Sequence, residues 1–327
     1  MPTLALVGPS SLIGREILQL LEERPRVERL LPLSEKAVGE GVPFRGAELA
    51  IDELDADAIG ERPEVVIFAT GSARSQRWAK RFAEAGSRVV DLSGLHRLDA
   101  QVPLAGLDPF PAGRLIAIPG AAALAAARLL AGVFDAAAAP ALTATLLVPV
   151  SAAGHAGINE LSQQSAGLLG GRPTKRRKFP HRIAFNVIPE VGEVNPVAAS
   201  GDSLAERSFR EELRRLLRLP LLRVSVTAVR VPVFYGLSMV LAGTTGTAGT
   251  AGALQQALVS AGGGVKPHVK LLDGAHVYPM PSLTVGDPSI LVGRVREDGA
   301  GGFQLFAALD PLRLVAAAAV TAALGKD

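Results

Sequence analysis

Serine and histidine are the residue types here that could support nucleophilic or metal chemistry, because the 327 residues include no cysteine. Ser151 and His155 lie four residues apart at the predicted start of a helix. A serine there usually caps the helix, and no Gly-x-Ser-x-Gly elbow is present, so we predict a cap rather than a nucleophile. Metal-binding spacing such as His-Glu-x-x-His is absent, so no zinc site is predicted. The histidines are His96, His155, His181, His268 and His276.

A glycine-flanked turn near the start of the chain could bind a dinucleotide. It lies between a predicted buried strand at residues 3–7 and a predicted helix at residues 15–23. Small residues allow the backbone to approach a pyrophosphate, and the N–H groups that open the helix can receive it. A plain strand-to-helix turn that binds nothing is the alternative. The turn consists of Gly8, Pro9, Ser10, Ser11, Leu12, Ile13 and Gly14.

Two further segments could complete such a site. Ser34, Glu35 and Lys36 follow the predicted second strand, where the ribose of adenosine lies in a dinucleotide-binding fold. Glu35 could accept a hydrogen bond from a 2′-hydroxyl, whereas Lys36 could meet a 2′-phosphate, so NAD and NADP both stay open. An exposed charged turn is the third reading. The predicted cofactor contacts are Gly8, Ser10, Ser11, Leu12, Ile13, Gly14, Ser34, Lys36, Thr70 and Gly71.

Alternating strand and helix patterns must position these residues. In the first 124 residues, short apolar strands alternate with helices, which predicts an α/β domain with a doubly wound parallel sheet. The pattern then changes, and residues 125–311 are predicted to form a second α+β domain. An alanine-rich helix closes the chain, and residues 312–327 are predicted to pack back on the first domain.

Composition excludes several classes of protein. A net charge of only +3 and an aromatic content of 4% argue against nucleic-acid binding. Arg128, Asp135 and Pro140 interrupt the alanine-rich stretch, so no membrane span is predicted. A strand directly after Met1 leaves no room for a secretion leader, which predicts a cytoplasmic protein.

Short motifs along the chain carry a family resemblance. They are Phe-Ala-Thr-Gly-Ser at 68–72, Val-Asp-Leu-Ser-Gly-Leu-His-Arg at 90–97, Ser-Ala-Ala-Gly at 151–154, Ala-Phe-Asn-Val-Ile-Pro at 184–189, Val-Arg-Val-Pro-Val at 229–233 and Val-Gly-Arg-Val-Arg at 292–296. In order and spacing they resemble the aspartate-semialdehyde dehydrogenase family. The resemblance implies a Rossmann-like domain, a second dimerisation and substrate domain, NAD or NADP as cofactor, and a homodimer. It also places Arg97 and Arg230 where the family keeps arginines for phosphate and substrate carboxylate.

The departures from the family pattern fall on its catalytic residues. The cysteine nucleophile of the family's Asn-Pro-Asn-Cys turn falls on Ala121, and the flanking asparagines fall on Ile118 and Gly120. The orienting glutamine falls on Val148, and the acid/base histidine falls on Leu237. The resemblance therefore assigns no catalytic residue to this chain.

These losses predict an inactive homologue. Oxidation of an aldehyde through a thioester needs a thiolate and a base that activates it, and alanine and leucine supply neither. We therefore predict a dimeric protein that binds a small anionic ligand, or a catalytic relative, without turnover. Arg97 and Arg230 could hold a carboxylate or phosphate, or could form structural ion pairs.

Two other functions stay open. An active NAD(P)-dependent oxidoreductase could transfer hydride to an aldehyde without a covalent intermediate, with Tyr235 or Ser238 as proton donor. A structural subunit could instead pair with an active relative and adjust its activity.

Overall fold

The structure of the chain, a computed structural model, describes residues 2–24, 27–134, 140–192, 201–244, 254, 269–272, 274–297 and 302–325. These residues form two compact units. The first unit comprises residues 1–121 and 315–327, and the second comprises residues 122–314. Each unit is built on one six-stranded sheet.

The sheet of the first unit is parallel throughout. The strands of this unit are β1 (Thr3–Val7), β2 (Arg29–Ser34), β3 (Gly41–Phe44), β4 (Ala47–Ala50), β5 (Asp52–Glu53), β6 (Val65–Phe68), β7 (Arg88–Asp91) and β8 (Leu115–Ala117). The sheet order is β5-β2-β1-β6-β7-β8, and β3 and β4 form a separate hairpin. The chain runs outward from β1 to β2 and β5 and then crosses to β6 on the other side of β1, so β1 and β6 flank the point where the winding direction reverses. Ligands bind at the carboxyl ends of strands at such a point.

Helices α1 (Leu12–Glu22), α2 (Ala56–Gly60) and α3 (Ser72–Glu84) belong to the first unit. Helix α1 buries Ile17, Leu18 and Leu21 on one face. Helix α3 buries Trp78, Ala79 and Phe82, and the ring of Phe82 meets that of Phe68 edge-on at a centroid distance of 6.1 Å. These apolar faces are spaced three and four residues apart, which is the helical repeat.

The second unit contains a mixed sheet. Its strands are β9 (Ala141–Val148), β10 (Arg223–Arg230), β11 (Leu237–Thr244), β12 (Val269–Leu272), β13 (Ile290–Glu297) and β14 (Gly302–Leu309), in the order β10-β9-β11-β14-β13-β12. Its helices are α4 (Ala121–Leu130), α5 (Gly154–Leu169), α6 (Leu204–Leu217) and the start of α7 (Pro311–Leu324). The pairs β9–β10 and β12–β13 are parallel and the others antiparallel.

The predicted fold class, a doubly wound parallel sheet with a second α+β domain, is confirmed. Several elements escape the sequence patterns, among them α4, β11 and β14. Helix α4 is buried at every position from Ala123 to Leu130, so its sequence shows no polar face. No helix in the described part of the chain is long and apolar enough to cross a membrane.

Candidate functional site

The glycine turn lies at the carboxyl end of β1 in the first unit. Its backbone is tied to β2, because the amide of Gly8 donates to the carbonyl of Leu33 at 2.9 Å. Gly8 has a φ of +85°, and a Cβ there would lie 2.7 Å from the carbonyl oxygen of Ala69. A Cβ on Gly14 would lie 2.2 Å from the carbonyl oxygen of Gly8. Both glycines are therefore required by the close approach of β1, β6 and α1.

Ser11 occupies the middle of this turn. Its φ of −70° and ψ of 161° are ordinary for any residue, and it caps α1. The Oγ accepts from the amide of Gly14 at 3.0 Å and lies 2.8 Å from the carbonyl oxygen of Gly8 and 2.9 Å from that of Ala69. The hydroxyl therefore points into the protein. The half-buried Leu12 and Ile13 follow in the first turn of α1, whose amides have no acceptor within a helix.

The other predicted cofactor residues lie at the same edge of the parallel sheet. Ser34 ends β2, and its Oγ accepts from the amides of Lys36 and Ala37, at 3.2 Å each. Lys36 is exposed. Thr70 follows β6, and Gly71 is the N-cap of α3 with no side chain to close the helix end. The carboxyl ends of β1, β2 and β6 thus bring together three segments: the glycine turn, the turn after β2, and the start of α3.

These residues fit a dinucleotide. Gly8, Gly14 and Gly71 carry no side chain that would keep a ligand away from the backbone. The side chain of Ser11 is directed away from the outer face of the turn. Backbone amides at the start of α1 can receive a pyrophosphate there. The arrangement can therefore hold a nicotinamide dinucleotide, with Ser11 in the middle of the turn.

Sequence reasoning missed a network that fixes Glu35. Oε2 of Glu35 pairs with Nε of Arg74 at 3.1 Å, and Oε1 accepts from Nε1 of Trp78 at 3.2 Å and lies 3.5 Å from Nη1 of Arg77. Nη1 of Arg74 donates in turn to Oγ1 of Thr70 at 3.1 Å. Spacings of 39 to 43 residues separate Glu35 from these partners, so only the tertiary fold reveals the contact.

Arg97 also lies in the first unit and binds backbone carbonyls. Its Nε donates to the carbonyl of Ile118 at 2.8 Å, and its Nη2 donates to that of Leu92 at 3.2 Å. Arg97 thereby fixes the segment that leads into Ala121, the first residue of α4. Its role in anion binding stays a prediction.

Arg230 lies in the second unit and is an uncompensated buried cation. It is 8% exposed, its Nη1 donates to the carbonyl of Pro149 at 2.7 Å, and its guanidinium lies 5.6 Å from the ring centre of Phe179. Burial lowers the pKa of Arg230 to about 10, which leaves it charged at neutral pH. Among the described residues no carboxylate pairs with it. A buried cation of this kind favours an anionic partner.

Two of the three residues that the resemblance assigns to catalytic positions, Val148 and Leu237, lie at the same end of the sheet as Arg230. Val148 is the register partner of Arg230 in the β9–β10 pair. Ser238 pairs with Leu147, so Leu237 stands level with Val148 on β11. Val148 is 7% and Leu237 5% exposed, so hydrocarbon surrounds this end of the sheet. Ala121 is half-buried at the start of α4.

The prediction that Ser151 caps the following helix is wrong. Helix α5 begins at Gly154 after Ala153, and no side chain caps it. Ser151 lies in the 3-10 turn Val150–Ala153, and its buried Oγ has no hydrogen-bond partner among the described atoms. His155 is exposed, so the two residues form no catalytic pair.

The remaining candidates give no sign of chemistry. No group of three or more histidine, aspartate or glutamate residues that could hold a metal occurs in the described ranges, and His268 lies outside them. Tyr235 is 39% exposed in the turn before β11, and Ser238 is buried within that strand.

Comparisons with known proteins agree with this architecture. Residues 3–110 match the family model described as semialdehyde dehydrogenase, NAD binding domain, and residues 130–314 match the semialdehyde dehydrogenase dimerisation domain. The chain belongs to the semialdehyde dehydrogenase family. The glycine turn, Glu35 and Arg74 lie in the NAD-binding match, whereas Val148, Arg230 and Leu237 lie in the dimerisation match.

Relatives within the semialdehyde dehydrogenase family match over almost their full length. The aspartate-semialdehyde dehydrogenase of Aquifex aeolicus is 30% identical over 306 residues, 90% of this chain and 88% of that protein. The USG-1 protein homolog of Azotobacter vinelandii is 32% identical over 320 residues, 95% of this chain and 93% of that protein. The crystal structure of aspartate semialdehyde dehydrogenase II from Vibrio cholerae has a TM-score of 0.90 at 29% identity, covering 99% of this chain and 97% of that chain.

Proposed function

We propose that this semialdehyde dehydrogenase homologue lacks the covalent chemistry of an acylating dehydrogenase. It binds a nicotinamide dinucleotide in its first unit and a small carboxylate or phosphate at Arg230 in its second, and it acts as a homodimer. The observation that carries the proposal is the hydrocarbon character of Ala121, Val148 and Leu237. The family resemblance places the nucleophile, the orienting glutamine and the acid/base histidine at these positions.

Thiol-dependent oxidation cannot proceed on such residues. The reaction needs a thiolate to attack the aldehyde carbon and a base to take up the thiol proton. The chain has no cysteine at any position, so no nearby thiol replaces the missing one. Losing one member of a nucleophile–base pair removes most of the benefit of both, a factor of about 10³–10⁶ in rate.

The first unit offers residues that would hold the dinucleotide. Gly8, Gly14 and the opening amides of α1 fit the pyrophosphate, and Glu35 stands where the adenosine ribose lies. A bound nicotinamide supplies hydride acceptance or donation. The chain itself contributes binding and orientation.

Arg230 supports the proposal that the second unit binds a small carboxylate or phosphate. Its charge is buried, it has one backbone acceptor, and apolar side chains stand on the neighbouring strands. A carboxylate or phosphate supplies the charge-assisted hydrogen bonds that such a guanidinium lacks. Retention of this cation beside Val148 and Leu237 favours ligand binding over a purely structural role.

Turnover assays test the proposal directly. The native chain is mixed with aspartate semialdehyde, phosphate and NAD or NADP, and reduced nicotinamide is followed by absorbance. We expect none to form, while calorimetric titration detects binding of the dinucleotide. A triple variant with Gly120→Asn, Ala121→Cys and Leu237→His restores a thiol at the start of α4, where the helix N-terminus lowers a thiol pKa.

The matched control carries Gly120→Asn, Ala122→Cys and Leu237→His, which moves the thiol by one residue. Turnover that appears in the first variant and not in the control would show that the missing residues limit the chemistry. Phosphate-dependent turnover by the native chain would overturn the proposal and favour a cysteine-independent oxidoreductase.

A further inference from the structure

We propose that Glu35 makes this chain selective for a dinucleotide with a free ribose 2′-hydroxyl, and that Arg74 becomes a 2′-phosphate ligand only when Glu35 loses its charge. The inference rests on the dinucleotide binding proposed above and deepens it by naming the cofactor. The juxtaposition that carries it is the Glu35–Arg74–Thr70 network at the carboxyl edge of the parallel sheet.

The turn after β2 holds Glu35 at a fixed place. The hydroxyl of Ser34 accepts hydrogen bonds from two backbone amides of this turn and so fixes its backbone conformation. The carbonyl of the neighbouring Leu33 accepts a hydrogen bond from the amide of Gly8, which places the turn after β2 next to the glycine turn. Glu35 is therefore positioned beside the glycine turn, which would receive the pyrophosphate. In a dinucleotide-binding fold the adenosine ribose lies at this place, after the second strand.

The carboxylate of Glu35 is oriented by helix α3. Arg74 holds one oxygen at 3.1 Å and Trp78 holds the other at 3.2 Å. The side chain is still 27% exposed. A carboxylate has about four acceptor directions, so it keeps capacity for a ribose hydroxyl after binding these donors. Because both its oxygens are already fixed, little conformational freedom is lost when that hydroxyl binds.

Arg74 is committed to the protein in this arrangement. Its Nε binds Glu35 and its Nη1 binds Thr70, and it is 26% exposed. A 2′-phosphate, which carries about two negative charges, would meet the Glu35 carboxylate while the Arg74 charge is already neutralised. Like charges brought together at a partly buried site discriminate strongly against the wrong ligand.

The exposed cations nearby do not reverse this preference. The side chain of Arg77 is 68% exposed and Lys36 is exposed, so solvent and salt screen their attraction for a phosphate. The Glu35–Arg74 pair is less solvated and is fixed by its neighbours. The geometry therefore points to NAD, because repulsion between the Glu35 carboxylate and the 2′-phosphate disfavours NADP.

Binding titrations of the full-length protein test this assignment. Trp78 is the only tryptophan in the chain and donates to Glu35, so its fluorescence reports on dinucleotide binding at the network. NADH and NADPH are titrated against the native chain and variants, with calorimetry of NAD and NADP as a second readout. The native protein should bind NADH at least about tenfold more tightly than NADPH.

Three variants separate the roles of the two residues. Glu35→Gln keeps the shape and removes the charge, so the ratio of the NADPH Kd to the NADH Kd should fall at least about tenfold. Arg74→Met leaves the carboxylate uncompensated and should raise the same ratio. In Glu35→Gln/Arg74→Met the gain in NADPH affinity should be lost, because the freed guanidinium is the phosphate ligand.

The matched control is Glu61→Gln. Glu61 also pairs with an arginine, Arg29, at 3.0 Å in the first unit, but at the start of β2. The same charge change at that end of the strand should leave the ratio unchanged.

The outcomes separate this inference from the proposed function. Equal affinity of the native chain for NADH and NADPH, or a ratio that Glu35→Gln does not alter, overturns the role of Glu35 while dinucleotide binding stands. Failure of the native chain and every variant to bind either dinucleotide overturns both proposals, provided that circular dichroism shows them folded.

Discussion

Arg128 places a positive charge in the interior of the second unit. It is 6% exposed, and neither its Nε nor its Nη1 has a hydrogen-bond partner among the described atoms. Burial lowers its pKa to about 10. A buried cation without a partner lowers stability, because the desolvation of its guanidinium is not offset by hydrogen bonds.

Replacing Arg128 should therefore stabilise the protein. We expect Arg128→Met to raise the free energy of unfolding by about 1–3 kcal/mol, since methionine fills similar space without a charge. Urea denaturation monitored by circular dichroism measures the change. Arg128→Lys is the matched control, because it keeps the charge and should bring no gain. A destabilised Arg128→Met protein would mean that the guanidinium makes favourable contacts in solution.

The gain should depend on pH at alkaline values. A base whose pKa is lower in the folded than in the unfolded state lowers stability while it is protonated. That penalty is fully present below the folded pKa of about 10 and is relieved as the pH rises from there towards the higher pKa of arginine in the unfolded chain. The stability difference between Arg128→Met and the native chain should therefore shrink above pH 10. A difference that stays constant in urea titrations across that pH would contradict this assignment.

Arg230 differs from Arg128 in that its Nη1 donates to a backbone carbonyl, that of Pro149, and we propose that its charge binds an anion. Succinate or phosphate should raise the melting temperature of the native chain by about 2–4 °C by binding the folded state. Arg230→Met should lose this response. Arg223→Met removes the same charge from the exposed start of the same strand and should keep the rise in melting temperature. A response that survives in Arg230→Met, measured by differential scanning fluorimetry, would place the anion elsewhere.

At the scale of elements, α5 holds a basic loop through one buried glutamine. Oε1 of Gln164 accepts from the amides of Ile183 and Ala184 at 2.9 and 3.2 Å, and its Nε2 donates to the carbonyl of Lys175 at 3.1 Å. Glu160, one turn earlier, accepts from the amides of Arg177 and Lys178. The loop at residues 175–184 is thus fixed by backbone contacts, while its basic side chains face solvent.

Removing that glutamine should release the loop. We expect Gln164→Ala to lower stability by about 2–3 kcal/mol, because the buried amides of Ile183 and Ala184 lose their acceptor. Limited trypsin digestion should then cleave within residues 175–178 at least about tenfold faster. Gln163→Ala changes the exposed neighbour on the same helix and should do neither. Equal cleavage rates in the two variants would argue against this role of Gln164.

The sequence predicts the helices that separate charged from apolar residues and the strands that form continuous apolar runs. Val65–Phe68 is a continuous apolar run and forms the central strand β6, and the charged, amphipathic sequence of α6 is found as a helix. Helix α4 is missed because, apart from the buried Arg128, it consists of alanine and leucine and shows no contrast between faces. Strand β14, Gly302–Leu309, is missed because both its faces are largely buried, which removes the alternation typical of strands.

The candidate site is predictable only where its residues are adjacent in sequence. Gly8 and Gly14 are found from their spacing around a strand and a helix, and their tight contacts agree with it. The role of Glu35 cannot be derived in this way, because Arg74 and Trp78 approach it from a helix four strands later in the chain. The capping prediction for Ser151 failed because a 3-10 turn separates it from α5.

For the whole molecule, we predict a homodimer formed through the second unit. Phe185 and Val187 flank Asn186 in the 184–189 motif and are 64% and 57% exposed. Exposed apolar residues within a dimerisation-domain match favour a protein interface. Light scattering after gel filtration should give twice the 33.8 kDa mass of the chain.

Interface variants test where that contact lies. Phe185→Asp/Val187→Asp should shift the mass to that of a single chain, because two buried carboxylates would oppose association. Leu221→Asp is the control, since Leu221 is 84% exposed in the turn before β10 and is not part of the motif. A native mass of 33.8 kDa would exclude the homodimer, and a double variant that stays dimeric would place the contact elsewhere.

The last helix gives the chain an unusual order of assembly during synthesis. Residues 315–327 belong to the first unit, and Nε of Arg88 donates to the carbonyl of Ala322 at 2.8 Å. A ribosome releases these residues only after the whole second unit has emerged. The first unit therefore keeps part of its apolar surface uncovered until the whole second unit has been synthesised.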